Sequence, residues 1–254
     1  MSSSSSKKEE IVLAFDVYGT LLSTESIAEQ LASHFGSDKA AEIAKEWRKY
    51  QLEYTWRLNS MDKYIPFSTV NRLSLQHALT ATSTPSQPPL SLSDASTAAL
   101  LESYNTLSVF PDVPPLFSHL TASPHMHACV FSNGTADMIS ASLTQSPDLA
   151  PHAHLFRHVV VVEPVGKFKP HPAVYTHLLT TVGKADDAGD VWLISGNPFD
   201  VVGANAIGMR TCWVDRSGGG WADALVEGDK GRPSVVVGGL DEVVGAIEGF
   251  MGRM

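Results

Sequence analysis

Ile11-Val12-Leu13-Ala14-Phe15-Asp16-Val17-Tyr18-Gly19-Thr20-Leu21-Leu22 is the stretch on which the reading of this chain turns. A short, uninterrupted apolar run has the composition of a buried strand. It leads straight into an aspartate and then a Gly-Thr turn. In an open α/β sheet, ligands bind in the crevice beyond the carboxyl ends of the strands. Asp16 is therefore expected where a ligand would sit. A carboxylate held there can act as a nucleophile and form a covalent ester.

Past Leu22 the apolar positions change period. Ile27, Leu31 and Phe35, then Ile43, Trp47, Leu52 and Trp56, recur every three to five residues among charged ones, which predicts helices to about Leu101. The stretch 81–94, ATSTPSQPPLSLSD, is rich in Ser, Thr and Pro and reads as a surface loop. From about Val109 short β runs, at 127–131, 158–162, 191–194, 210–214 and 234–237, alternate with helical segments. That alternation predicts a parallel sheet with helices on both faces. The expected organisation is an α/β core of 10–22 and 107–254, with a helical cap inserted after the first strand at 23–106. An insert at that point lies over the ligand-binding edge of the sheet, as a lid does.

The composition narrows the function classes. A chain of 254 residues can bury a substantial core, as one large domain or two unequal ones, and 43% hydrophobic content is ordinary for a soluble protein. No apolar stretch approaches the ~20 residues that span a bilayer. Residues 1–9 are serine-rich and charged without the apolar centre of a signal peptide, so they read as a disordered lead-in to a cytoplasmic protein. A formal charge of −9 argues against a nucleic-acid binder. It leaves a small anionic substrate open, because local potential decides that. Cys129 and Cys212 lie in strand-like runs and read as buried thiols in a reducing compartment.

Four strand ends carry polar residues that would meet at one sheet edge. The first supplies Asp16 and Thr20. Cys129-Val130-Phe131-Ser132-Asn133-Gly134 ends the second in small hydrogen-bonding groups. Glu163-Pro164-Val165-Gly166-Lys167-Phe168-Lys169-Pro170-His171-Pro172-Ala173-Val174-Tyr175 adds two lysines and a phenol. Ile194-Ser195-Gly196-Asn197-Pro198-Phe199-Asp200 adds a further carboxylate.

The order and type of these groups resemble the haloacid dehalogenase superfamily over nearly the whole core. Phosphatases of that superfamily use Mg²⁺, held by oxygen ligands, and a second aspartate two residues after the nucleophile. Here that second place is Tyr18 and, aligned on Asp200, the metal-binding aspartate falls at Gly196. Both departures point away from metal-assisted phosphoryl transfer. Glu46-Trp47-Arg48-Lys49-Tyr50-Gln51-Leu52-Glu53-Tyr54-Thr55-Trp56 resembles the cap helix of L-2-haloacid dehalogenases. It stands together with Asp-x-Tyr-Gly-Thr and Lys-Pro-x-Pro-x-x-Tyr. The resemblance implies a Rossmann-like parallel sheet, a helical cap, and hydrolysis of a small 2-halocarboxylic acid by water without metal or other cofactor. It also implies a homodimer, with no nucleic-acid or membrane partner.

The same resemblance implies a role for each residue. Asp16 attacks the halogen-bearing carbon from the rear, and water then hydrolyses the aspartyl ester, giving a 2-hydroxy acid of inverted configuration. Lys169 favours and orients the charged Asp16; Lys167 is a rival, but only Lys169 precedes Pro170 and lies six residues before Tyr175. Thr20 positions Asp16, and Tyr175 hydrogen-bonds into the cluster. Arg48 receives the departing halide, with Asn133 and Phe199 completing its cradle. Ser132 binds the substrate carboxylate. Asn197 and Asp200 orient and activate water with support from Ser195, although Asp200 can equally serve only as a partner for Lys169. Tyr18, Leu21, Leu52 and Phe67 form the apolar wall. At Gly196 dehalogenases often have Ser, so water placement is the feature in question there. Two other functions stay open on sequence alone: a phosphatase of the superfamily, and a non-catalytic module that holds a small carboxylate.

Two further patterns carry less. The histidine pairs His125/His127 and His152/His154 lack zinc-site spacing and read as surface or strand-edge residues. Gly218-Gly219-Gly220 lacks the Lys-Ser/Thr of a phosphate loop and reads as a flexible turn.

Overall fold

The computed structural model describes residues 10–84 and 88–253. The lead-in expected at 1–9 lies outside the described residues. Six strands, β1 (Ile11–Phe15), β2 (Met126–Ser132), β3 (Phe156–Val161), β4 (Val191–Ser195), β5 (Arg210–Val214) and β6 (Val235–Val237), form one sheet in the order β3-β2-β1-β4-β5-β6. Every pair is parallel. These are the runs expected from the sequence, shifted by a residue or two at their ends. All residues of β1, β2 and β4 are buried, because helices cover both faces of the sheet and leave no strand face for water.

The strand order reverses beside β1, whose neighbours are β2 and β4. At such a switch point the connections leave toward opposite faces and open a crevice at the carboxyl ends of the strands. Phe15 pairs with Val130 on one side and Ile194 on the other, so the residues that follow β1, β2 and β4 emerge together. The helices of this part are α5 (Val113–Ala122), α6 (Ala136–Gln145), α7 (Pro172–Thr181), α8 (Pro198–Ala206) and α9 (Val243–Met251). Several start on residues suited to that place. Thr135 Oγ1 accepts the Met138 N–H ahead of α6, and Pro172 and Pro198 open α7 and α8 where a missing N–H costs nothing.

Between β1 and α5 the described residues form four more α-helices, α1 (Ile27–Phe35), α2 (Ser37–Ser60), α3 (Phe67–Ala81) and α4 (Asp94–Ser103). The described residues between α3 and α4 form neither helix nor strand, as the Ser/Thr/Pro composition of 81–94 implies. α2 packs between α1 and α3, burying Ala40, Ile43, Ala44, Trp47, Gln51 and Thr55. This stripe differs from the apolar periodicity. Leu52 is five residues past Trp47, which at 3.6 residues per turn rotates it away from the buried stripe, and Trp56 one turn later is 41% exposed. The two side chains are thereby available to a neighbouring part of the fold.

Cys129 and Cys212 are free and buried, and burial pushes both thiols up to about 12. The glycine triplet is a hydrogen-bonded turn: Gly219 and Gly220 donate backbone N–H groups to the Asp215 carboxylate at 3.2 and 2.7 Å. The Gly220 amide leads in holding that carboxyl below the usual range. None of the helices among the described residues is long and apolar enough to cross a membrane.

Candidate active site

Asp16 is the first residue beyond β1, and its N–H still donates to Ile194 O on β4 at 3.0 Å. The chain then turns sharply. Gly19 takes φ 87° and donates to Leu22 O at 2.8 Å, a conformation that a side chain would strain. The turn brings Thr20 back beneath the carboxylate, where its hydroxyl donates to Asp16 Oδ2 at 2.8 Å. Asn197 Nδ2, from the start of α8, donates to the same oxygen at 2.7 Å. Among the described residues, Oδ1 accepts from Lys169 Nζ alone, at 3.1 Å. Gly196 permits this convergence, since a Cβ there would stand 2.6 Å from Gly19 O.

Lys169 is 1% exposed, and its three ammonium donors are all engaged, by Asp16 Oδ1 at 3.1 Å, Phe131 O at 2.8 Å and Asp200 Oδ2 at 2.8 Å. The ammonium also lies 4.0 Å from the centre of the Phe131 ring. Asp200 is fully buried, with Oδ1 accepting from Tyr175 Oη at 2.7 Å. Gly203 makes room for that phenol, as a Cβ there would meet Tyr175 Oη at 2.4 Å. Burial raises the Asp200 carboxyl above the ordinary aspartate range; the Lys169 ammonium pulls it back, and the Asp16 charge raises it again. Burial, reinforced by the Asp200 charge, holds the Tyr175 phenol well above its usual value. It stays a proton donor to Asp200.

The opposite wall comes from α2 and α3. Arg48 donates from Nη2 to Tyr18 O and Asn197 Oδ1, both at 3.2 Å. Behind it, Gln51 Oε1 accepts from Arg48 Nη1 at 3.4 Å and from Tyr104 Oη at 3.2 Å, while Gln51 Nε2 donates to Asn71 Oδ1 at 2.6 Å. Trp47 Nε1 closes this network on Asn71 O at 2.9 Å. Phe67 stacks on Tyr18 with ring centres 5.9 Å apart. Between the walls is a narrow cavity, with about 10 Å³ open to a water-sized molecule, lined by Asp16, Tyr18, Arg48, Leu52, Phe67, Asn133, Lys169, Asn197 and Phe199. All of these residues are candidates from the sequence.

The remaining candidates lie off this wall. Thr20, Tyr175 and Asp200 stand behind it as partners of Asp16 and Lys169. Ser132 and Ser195 are fully buried, and each hydroxyl accepts a backbone N–H two residues on, from Gly134 and Asn197, at 3.0 Å. Both serines therefore shape the loops that carry Asn133 and Asn197. Leu21 is not part of the apolar wall: it is 1% exposed in the core, because the turn at Gly19 carries it past the cavity to where its carbonyl accepts the Phe110 N–H at 3.2 Å. Of the two lysines, Lys167 forms an ion pair with Asp62.

Two groups in the site go beyond the candidates named from the sequence. The Gln51–Asn71–Tyr104 network was half visible, since Gln51 lies inside the conspicuous helix motif. Asn59 had no signal. Its Nδ2 donates to Phe168 O at 2.7 Å and its Oδ1 accepts the Phe168 N–H at 2.9 Å. On the other side, Asn133 Oδ1 accepts the Lys169 N–H at 2.9 Å. Two side-chain amides thus hold the backbone from which Lys169 reaches Asp16.

These residues do not fit a divalent cation. Tyr18 has replaced the second carboxylate, and its buried phenol is raised, chiefly by desolvation, so it offers no charged oxygen. Both Asp200 oxygens are engaged, and position 196 has no space for an acidic side chain while Gly19 stays where it is. No group of three His, Cys, Asp or Glu among the described residues is placed to hold a metal.

The model of the haloacid dehalogenase-like hydrolases matches residues 12–208. The chain is 31% identical to haloacetate dehalogenase H-2 of Moraxella sp. (strain B), over 84% of this chain and 88% of that one. It is 30% identical to the (S)-2-haloacid dehalogenase of Pseudomonas sp. (strain YL), over 81% and 83%. Among solved structures it resembles the L-2-haloacid dehalogenase of Xanthobacter autotrophicus with chloropropionic acid covalently bound. There the TM-score is 0.79, at 25% identity over 94% of this chain and 98% of that one. With its parallel sheet and a carboxylate just beyond the first strand, the chain belongs to the haloacid dehalogenase-like hydrolase family.

Proposed function

We propose that this chain is an (S)-2-haloacid dehalogenase that hydrolyses short L-2-haloalkanoates to 2-hydroxy acids of inverted configuration. The observation that carries the reading is the unequal surroundings of the two Asp16 oxygens. Oδ2 accepts from Thr20 and Asn197, whereas Oδ1 has only Lys169. Oδ1 is the nucleophile. Its lone pair forms the bond to the halogen-bearing carbon as the carbon–halogen bond breaks, and the halide leaves with that bond's electrons toward Arg48. A poorly hydrated carboxylate in a narrow cavity favours this displacement. Ser132 and neighbouring backbone N–H groups hold the substrate carboxylate, and Asn133 joins Arg48 in receiving the halide.

Hydrolysis follows at the carboxyl carbon of Asp16. Water adds there, and the negative charge that develops on Oδ2 meets two preorganised donors, Thr20 and Asn197. The proton of the water passes to Lys169 as Lys169 releases one to Asp200 at 2.8 Å, where burial has raised the carboxyl. The Cγ–Oδ1 bond then breaks; Oδ1 leaves with the product, taking a proton from Lys169 as Asp200 returns one to Lys169, which frees the 2-hydroxy acid and restores the Asp16 carboxylate. Tyr18, Leu52, Phe67 and Phe199 keep the alkyl part dry. Helices α1–α4 act as the cap over this site, with the division at 22/23 and 106/107. The same reading places the protein in the cytoplasm, consistent with two free thiols, and takes it as a homodimer.

Halide release from each enantiomer of 2-chloropropionate, followed by one turnover in ¹⁸O-labelled water with protein in excess, tests the function and its chemistry together. The expected result is release from the L-form alone, with the label in the Asp16 carboxyl. Label in the hydroxy acid would mean direct attack by water. Release from neither form would leave a module that binds small carboxylates without turnover.

A further inference from the structure

On the outer side of Phe199 lies a second, open groove of about 560 Å³, walled chiefly by Trp56, Pro170, Phe199 and Leu225. Phe199 belongs to both spaces, so one ring separates the groove from the cavity that holds Asp16. Trp56 meets that ring edge-on, with centroids 5.5 Å apart and planes at 75°. Pro170 is the residue after Lys169. The groove therefore adjoins the candidate active site, with the Phe199 ring between them.

Besides Ser60, its polar members each hold local structure. Both amide atoms of Asn59 are held by the Phe168 backbone, His171 Nδ1 accepts the Ala173 N–H at 3.2 Å, and Asp223 Oδ1 accepts the Leu225 N–H at 2.9 Å. What faces the groove is mainly apolar surface. The Asp223 turn projects Leu225, 84% exposed, across from Trp56, 41% exposed. Large apolar side chains left in water beside a pocket carry a free-energy cost that a ligand covering them would relieve. An anionic head is disfavoured here by Asp223 and favoured at Arg48.

We propose that this groove is the subsite for the alkyl tail of longer-chain 2-haloalkanoates, entered when the Phe199 ring turns aside; the assignment rests on the dehalogenase reading. The carboxylate and the carbon–halogen bond stay in the inner cavity, and the tail from about the fourth carbon onward lies between Trp56 and Leu225.

The test compares kcat/KM for (S)-2-bromopropionate and (S)-2-bromooctanoate in the wild type, Leu225→Ser and Leu225→Phe. Leu225 is so exposed that neither change should disturb the fold. Leu225→Ser is expected to lower kcat/KM for the eight-carbon acid about tenfold, keep the three-carbon acid within about twofold, and be reversed by Leu225→Phe. An equal effect on both acids, or none on the longer, overturns the subsite. So does a wild type that consumes the short acid and ignores the long one, a result that leaves the dehalogenase reading standing. If neither acid loses bromide, that reading fails, and calorimetric binding of 2-hydroxyoctanoate against 2-hydroxypropionate decides. Tighter binding of the longer acid that Leu225→Ser removes sustains the subsite; equal or absent binding overturns it.

Discussion

The wall of the cavity supplied by the sheet and the wall supplied by α2 and α3 are built on different physics. On the sheet side, two carboxylates and one ammonium are almost without solvent, and every donor of Lys169 is engaged. Such a cluster survives only while each charge has its partner, because an unpaired buried ion costs several kcal/mol. On the helix side, Leu52 is half-buried, Phe67 rests on Tyr18, and Arg48 is held by neutral oxygens. That side tolerates change more easily. On the proposed function the contrast separates duties: bond-making would depend on the sheet, and the choice of substrate and the reception of halide on the helices.

Removing one positive charge from each wall is the strongest way to break this contrast. Lys169→Ala leaves Asp16 and Asp200 buried without their shared cation and is expected to cost about 3–5 kcal/mol of stability along with activity. Arg48→Ala is expected to change stability by about 1 kcal/mol while lowering kcat roughly a hundredfold, since the halide loses its charged donor. Urea midpoints and halide-release rates measure both, and equal losses of stability would erase the distinction.

A smaller effect concerns pH. The Tyr175 phenol donates to the charged Asp200 and so opposes the upward push of burial on that carboxyl. Tyr175→Phe removes the donor, the carboxyl rises further, and Asp200 takes up a proton at a higher pH. The acid limb of the kcat profile is therefore expected to move to higher pH, read from halide release between pH 4 and 9. An unmoved limb would mean that Asp200 is not the group that titrates. The smallest effect is expected on the helix side. Leu52→Ala widens the cavity and should shift kcat/KM toward 2-chlorobutyrate relative to chloroacetate by about fivefold, with little change in stability.

Much of this was legible in the residues. The strands of the sheet stand out because each is a short apolar run between turn residues, a local pattern that needs no knowledge of its neighbours. Asp16 and Arg48 stand out because each sits in a motif of unusual composition. The misplacement of Leu21 has a local cause. It lies beside wall residues in the chain, but proximity in sequence does not say which side of a tight turn a side chain takes, and Gly19 sends Leu21 into the core.

By itself the sequence determined the α/β class and the strand positions, because composition and short-range periodicity encode these; the residues of the cavity wall, apart from the misassigned Leu21, and the missing second acid at Tyr18 were legible only through the resemblance of its motifs to a known family. Tertiary structure alone decided the order β3-β2-β1-β4-β5-β6, the pairing of Lys169 with both carboxylates, and the hold of Asn59 on Phe168, 109 residues away. It also decided that Trp56 meets Phe199 at the edge of a groove. Those features depend on distant elements arriving at one place. The free energy that selects their arrangement comes from burying whole faces and matching every buried charge, which no local stretch of chain contains.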